Sequence, residues 1–120
     1  MPLLYSQVSL TFCTYVDQYG YCAFNNNKFI TSPDSTTGRI FMRVKSETAL
    51  GPKLTYKVYS IDKDKKEKLF REYDQTLQPE WLMAWEPYNF PTGAKYNVKI
   101  YNAANIVICS QSFELIKGGF

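Results

Sequence analysis

The sequence predicts a single all-β domain over residues 1–120, folded as a two-sheet antiparallel sandwich of about seven or eight strands. Three observations carry that expectation. Apolar residues recur with period two along most of the chain. Turn-forming residues interrupt the pattern about every 8 to 16 positions. Aromatic residues make up 17% of the composition, and such side chains fit a pleated, half-buried surface. At 45% hydrophobic, a chain of 120 residues can enclose one core, and no shift in composition divides it.

The elements follow in chain order. In QVSLTFCTYV (7–16), Val8, Leu10, Phe12 and Val16 share one face, with Ser9, Thr11 and Cys13 opposite. RIFMRVK (39–45) sets Ile40, Met42 and Val44 against Arg43 and Lys45, and KLTYKVYSI (53–61) aligns Leu54, Tyr56 and Val58. KDKKEKLFREYDQTL has apolar residues at 69, 70, 73 and 77, a spacing that admits a short helix. A strand is the better expectation, because 53–61 needs a partner. KYNVKIYN (95–102) aligns Tyr96, Val98 and Ile100 against Lys95, Asn97 and Lys99. Turns are expected at DQYG (17–20), TSPDSTTG (31–38), LGP (50–52), DKDKK (62–66), QP (78–79), FPTG (90–93) and NAAN (102–105). NNNK (25–28) reads as a polar surface loop.

The stretch QPEWLMAWEPYNFPTG is the most suggestive. As a strand it would turn Trp81, Met83 and Trp85 into the core, with Glu80, Leu82, Ala84 and Glu86 towards water. Pro79, Pro87 and Pro91 then stand where a strand begins, bends or lies at an edge. Trp81, Trp85 and Phe113 complete the expected core.

The last quarter, GAKYNVKIYNAANIVICSQSFEL, reads as strand, four-residue turn, strand. On Gly93, Tyr96, Val98, Ile100, Tyr101 and Asn102, followed by Ser110, Phe113 and Leu115, it resembles the closing hairpin of bacterial immunoglobulin-like and fibronectin-III-like modules. The Trp-bearing lead-in looks similar as well, and the resemblance covers roughly 40 residues. It implies an immunoglobulin-like sandwich and carries no active site. The Cys–Trp–Cys spacing of antibody-type domains is absent.

Composition bounds the chemistry. The net charge of +3 and a pI near 8.7 fall short of the clustered basic face of a nucleic-acid binder. DKDKKEK (62–68) alternates in sign and projects little field. No apolar run approaches the roughly 20 residues that span a bilayer, and MPLLYSQVSLTF lacks the basic start and continuous apolar core of a signal peptide. The expected setting is cytoplasmic for a complete chain, and envelope or secreted for an excised domain. Three cysteines are too few for a stapled mini-protein; Cys13 and Cys22 bracket a short excursion, and their pairing is left open by spacing alone.

Catalysis is not expected. The chain has no histidine, which removes the commonest general base and metal ligand along with Ser–His–Asp and Cys–His arrangements. Carboxylates such as Asp74, Glu80 and Glu86 show no patterned cleft for glycosidic chemistry. Asp62 and Asp64 begin like an EF-hand loop, but Lys66 and Glu67 stand where a ligand and the bend glycine belong. Phosphate-binding glycine motifs are absent, so no metal and no cofactor are expected.

The expected function is therefore a non-catalytic protein-interaction or structural module. It would bind through end loops or through an edge strand, with SLTFCTYV and NIVICSQSF as edge candidates. The alternative is a carbohydrate-binding module whose aromatic platform comprises Trp81, Trp85 and Tyr88, with Asn89 as a polar ligand contact.

Overall fold

A computed structural model describes residues 8–118. All regular structure among them is β: ten strands and no helix. They are β1 (Ser9–Cys13), β2 (Tyr15–Val16), β3 (Cys22–Ala23), β4 (Lys28–Thr31), β5 (Thr37–Lys45), β6 (Lys53–Ile61), β7 (Glu67–Thr76), β8 (Met83–Pro91), β9 (Ala94–Tyr101) and β10 (Val107–Lys117). They form a three-stranded sheet, β1-β5-β8, a five-stranded sheet, β4-β10-β9-β6-β7, and the small hairpin β2-β3. One core cluster collects Leu10, Phe12, Ile40, Met42 and Val44 from the smaller sheet and Tyr56, Val58, Tyr96, Val98, Ile100 and Phe113 from the larger. Phe113 ties the layers together, its ring centroid 4.5 Å from that of Phe12 and 5.0 Å from that of Phe90.

Period two did its expected work in β1, β5, β6 and β9, whose even-numbered apolar residues are buried except for the half-buried Ala94 at the start of β9. The stretch with helix-compatible spacing is strand β7, antiparallel to β6. The closing segment forms the antiparallel pair β9–β10.

Three of the expected turns share one construction. At Asp17, Asp62 and Asn102 the residue's N–H donates to the carbonyl four positions on (Tyr21, Lys66, Ile106). Its own carbonyl accepts from the residue three on, and its side-chain Oδ1 accepts two further backbone N–H groups. The third residue after each Asx, Gly20, Lys65 or Asn105, lies at φ between +63° and +85°. An Asx at the first position and a left-handed residue at the fourth are what this reversal requires. Asp62 is thus a turn acceptor, in keeping with the turn expected at 62–66.

Four expectations need correction. The sheets number three, and the strands exceed eight because the 14–23 excursion pairs with itself as β2–β3. The pairing is not wholly antiparallel: FNNNKFIT contains strand β4, which runs parallel to the end of β10. Only Phe29 of β4 is buried, so there was no local alternation to reveal it. Val16 leaves the main core for a second cluster with Cys13 and Phe41.

The fourth correction concerns β8, whose phase is opposite to that expected. Ala84, Glu86 and Tyr88 pair with Val44, Met42 and Ile40 and share their inward face, while Met83, Trp85, Pro87 and Asn89 look outward. Trp81 is not a core residue: it precedes the strand and is 46% exposed. Trp85 is half-buried, packed against the second cluster rather than the first. The reason is that the outward face of β8 is covered too, so hydropathy no longer marks which side is in.

Candidate functional site: an aromatic hairpin clamped to the smaller sheet

Cys13, the last residue of β1, is bonded to Cys22 of β3, with 5.6 Å between their Cα atoms. Cys13 is fully buried and Cys22 half-buried. The bond holds the β2–β3 hairpin on the outer face of the three-stranded sheet, where Val16 and the disulfide cover Phe41 and Trp85. Tyr15 meets Phe41 edge-on at 5.6 Å, and the Arg39 guanidinium sits 5.3 Å from the centre of the same ring.

The turn decides where the remaining rings go. Asp17 Oδ1 accepts from the N–H groups of Tyr19 (2.8 Å) and Tyr21 (3.0 Å), which tightens the loop around Gly20. Gly20 is buried against Met83 and Trp85, and its two tyrosine neighbours project into water at 73% and 74% exposure. Phe24, at φ +54° just past the hairpin, is 82% exposed. With Tyr15 this makes four solvent-facing aromatic rings on one short, covalently anchored excursion. The sequence reading passed over them. Their signal was there in CTYVDQYGYCAF: three tyrosines between two cysteines and a phenylalanine just beyond.

The four expected ligand contacts fall into two groups. Trp81 and Trp85 line one apolar groove of about 490 Å³ with Gln75, Leu82, Met83 and Ala84. Tyr88 and Asn89 line a separate, more polar hollow of about 480 Å³ with Arg39 and Pro87. The Tyr88 ring is already engaged: it stacks at 6.1 Å on Tyr73, meets Phe90 edge-on at 5.0 Å, and carries the Arg71 guanidinium 5.4 Å from its centre. An open aromatic platform therefore reduces to the two tryptophans.

The strand edges are guarded: β4, an edge of the five-stranded sheet, is only four residues long. β10 lies inside its sheet, between β4 and β9, so it is not the edge expected from NIVICSQSF. β1 is an edge, but the Phe12 carbonyl already accepts from Asn26 N–H at 3.1 Å. β7 is charged along its length and pairs with β6 through a register shift at Val58/Tyr59, and β8 carries Pro87 and Pro91. Charges, irregular pairing and prolines are how natural sheets discourage edge-to-edge pairing.

Beneath this surface lies a polar seam between β7 and β8. The Tyr56 hydroxyl donates to Gln75 Oε1 (2.7 Å), and Gln75 Nε2 donates to the Trp85 carbonyl (3.0 Å). Burial pushes the Glu86 carboxyl above its usual range and raises the Tyr56 and Tyr73 phenols well above theirs. Asp74 is engaged on the far side of β7, accepting from Thr55 Oγ1 at 2.7 Å, so it does not join Glu86 as a working pair. Cys109 is half-buried, and burial raises its thiol to about 12, far from the thiolate that a nucleophile requires. Among the described residues no three His, Cys, Asp or Glu side chains gather as a metal site.

The chain matches no protein-family model and no curated protein sequence. What the fold and site define together is a class: an all-β, sandwich-like domain with a disulfide-anchored aromatic hairpin on its smaller sheet.

Proposed function

We propose that this is a non-catalytic interaction module of the immunoglobulin-like or fibronectin-III-like kind, which holds a protein partner on its aromatic hairpin. The fold part of the reading draws support from strand order and from one side chain. The chain passes between the two larger sheets after β4, β5, β7 and β8, as in Greek-key sandwiches. Tyr96, near the start of β9, donates its hydroxyl to the Pro91 carbonyl at the end of β8, at 2.6 Å. A tyrosine bonded back to the backbone a few residues upstream at this corner is a hallmark of such domains.

The observation that carries the binding role is the exposure of Tyr15, Tyr19, Tyr21 and Phe24 on a covalently fixed loop. Tyrosine offers a large amphipathic contact at small entropic cost, and the neighbouring asparagines Asn25, Asn26 and Asn27 add adaptable hydrogen bonding. Anchoring the loop beforehand lowers the ordering cost of association. The guarded edges favour this face over strand addition. The test is affinity capture from an extract of the source cells with the native domain and with a Tyr19→Ser/Tyr21→Ser/Phe24→Ser variant. Partners retained by the native domain and lost by the variant support the reading. Equal retention by both would reject it.

A second reading rests on the convergence of Trp81 and Trp85 on one apolar groove. Such a pair can stack on a pyranose, which would make the domain a carbohydrate-binding module. Iodide quenching and tryptophan emission, measured with and without a panel of soluble polysaccharides, test it. A glycan that shifts the emission and protects Trp81 supports the sugar reading; emission unmoved by every glycan removes it.

A further inference from the structure

Among the described residues, the ion pairs of this domain are confined to one of its two larger sheets. Four ion pairs, Lys28–Glu114, Lys53–Asp74, Lys57–Glu72 and Lys99–Glu67, all lie within the five-stranded sheet, and every one uses a lysine. The chain has three arginines, Arg39, Arg43 and Arg71, and none takes part in those pairs. All three flank β8. Arg39 and Arg43 stand on β5 opposite Asn89 and Trp85, and Arg71 reaches from β7 over the rings of Phe70 and Tyr88. Lys45 continues the row, opposite Met83. The outward positions of β1, β5 and β8 carry no carboxylate at all. The hairpin's one acid, Asp17, spends an oxygen on two backbone N–H groups.

We propose that this arginine-flanked strip along β8 receives an extended acidic segment of a polypeptide partner; the inference rests on the protein-binding reading above and supplies the partner's chemistry. Guanidinium groups are suited to carboxylates because their planar fork matches two oxygens at once. Arg39 rests against the Phe41 ring and Arg71 against the rings of Phe70 and Tyr88, and neither takes part in the four ion pairs. Arg43 in addition has a buried Nε with no hydrogen-bond partner. The spacing favours a peptide. Residues two apart on β5, such as Arg43 and Lys45, repeat at about 7 Å, and Arg39 to Arg43 spans about 13 Å. An extended chain laid along these side chains, without backbone pairing to the proline-bearing β8, shows alternate side chains at the same pitch, so its Glu or Asp residues stay in step with Arg39, Arg43 and Lys45. The apolar groove of Trp81, Leu82, Met83 and Trp85 lies at one end of the strip and would take a large apolar residue.

The test uses fluorescence anisotropy on the full chain with a labelled ten-residue peptide of alternating Glu and Leu. The same peptide with Gln for Glu is the neutral control, and polygalacturonate is the competing polyanion. Two double variants of equal charge change are compared: Arg39→Gln/Arg71→Gln on the strip, and Lys63→Gln/Lys95→Gln elsewhere, all at exposed positions. The expected result is binding of the Glu peptide at least about tenfold tighter than the Gln peptide, weakened by salt. The arginine variant should lose about tenfold and the lysine variant less than about twofold. Equal losses in the two variants would reduce the effect to net charge and overturn the proposal, as would equal binding of the two peptides or no binding at all. Displacement by polygalacturonate at lower carboxylate concentration would assign the strip to an acidic glycan and also overturn it. None of these failures touches the hairpin, whose tyrosine variant is read in a separate capture experiment.

Discussion

Gly20 lies against Met83, so closely that a Cβ built at position 20 would run into the methionine Sδ and stand 3.2 Å from the Trp85 ring. Its φ of +85° is the other reason for glycine there. One residue thus joins the hairpin turn to the outer face of β8. Gly20→Ala should cost about 2–3 kcal/mol from overpacking and left-handed strain together. Urea unfolding of the purified variant measures this. A change under about 0.5 kcal/mol would mean the hairpin does not rest on β8 as described.

Removing the covalent anchor acts on the same contact from the other end. A Cys13→Ser/Cys22→Ser variant opens a loop with a sequence separation of 9, for which the chain-entropy treatment gives a loss of about 2–3 kcal/mol. Because Trp85 packs against the cluster of Cys13, Val16 and Phe41, its emission should move to the red as the hairpin loosens. A Trp81→Phe background isolates that signal. Unchanged emission with unchanged stability would contradict the anchoring role.

Lys65 occupies the left-handed position of the β6–β7 turn, at φ +63°, and is exposed. Glycine meets no Cβ penalty there, so Lys65→Gly should raise stability by about 1 kcal/mol despite its greater freedom when unfolded. Thermal unfolding of the two proteins side by side decides it, and a lower midpoint for the variant would count against this turn geometry.

Tyr96 connects the Pro91 corner to stability at high pH. Burial raises its phenol to about 12, against an ordinary value near 10. The folded state therefore holds the Tyr96 proton over a range where the unfolded chain has released it. Its contribution is complete below pH 10 and is lost as pH rises through about 12. Tyr56 and Tyr73 are shifted in the same direction. Tyr96→Phe should lose about 1 kcal/mol at neutral pH with the hydroxyl's bond, and should show a shallower decline between pH 10 and 12. Parallel pH profiles for native and variant proteins would show that Tyr96 does not titrate in this way.

The sequence by itself determined the β class, the strand character of most of the chain and nearly every reversal. Those features are local: period-two burial in β5, β6 and β9, and Asx or glycine chemistry at residues 17–20, 62–66 and 102–105. Both tryptophans were expected in the core, with a contact surface as the alternative; Trp81 lies outside the core, Trp85 packs against the second cluster, and the two line one groove. Only the tertiary structure decided which way β8 faces, because a cover supplied by a hairpin some 60 residues away makes its outer side as apolar as its inner one. The same holds for the parallel pairing of β4 with β10, for the bond between Cys13 and Cys22, and for the gathering of three arginines around one strand. Each depends on which distant segments the core brings together, and a pattern read along the chain carries no record of that.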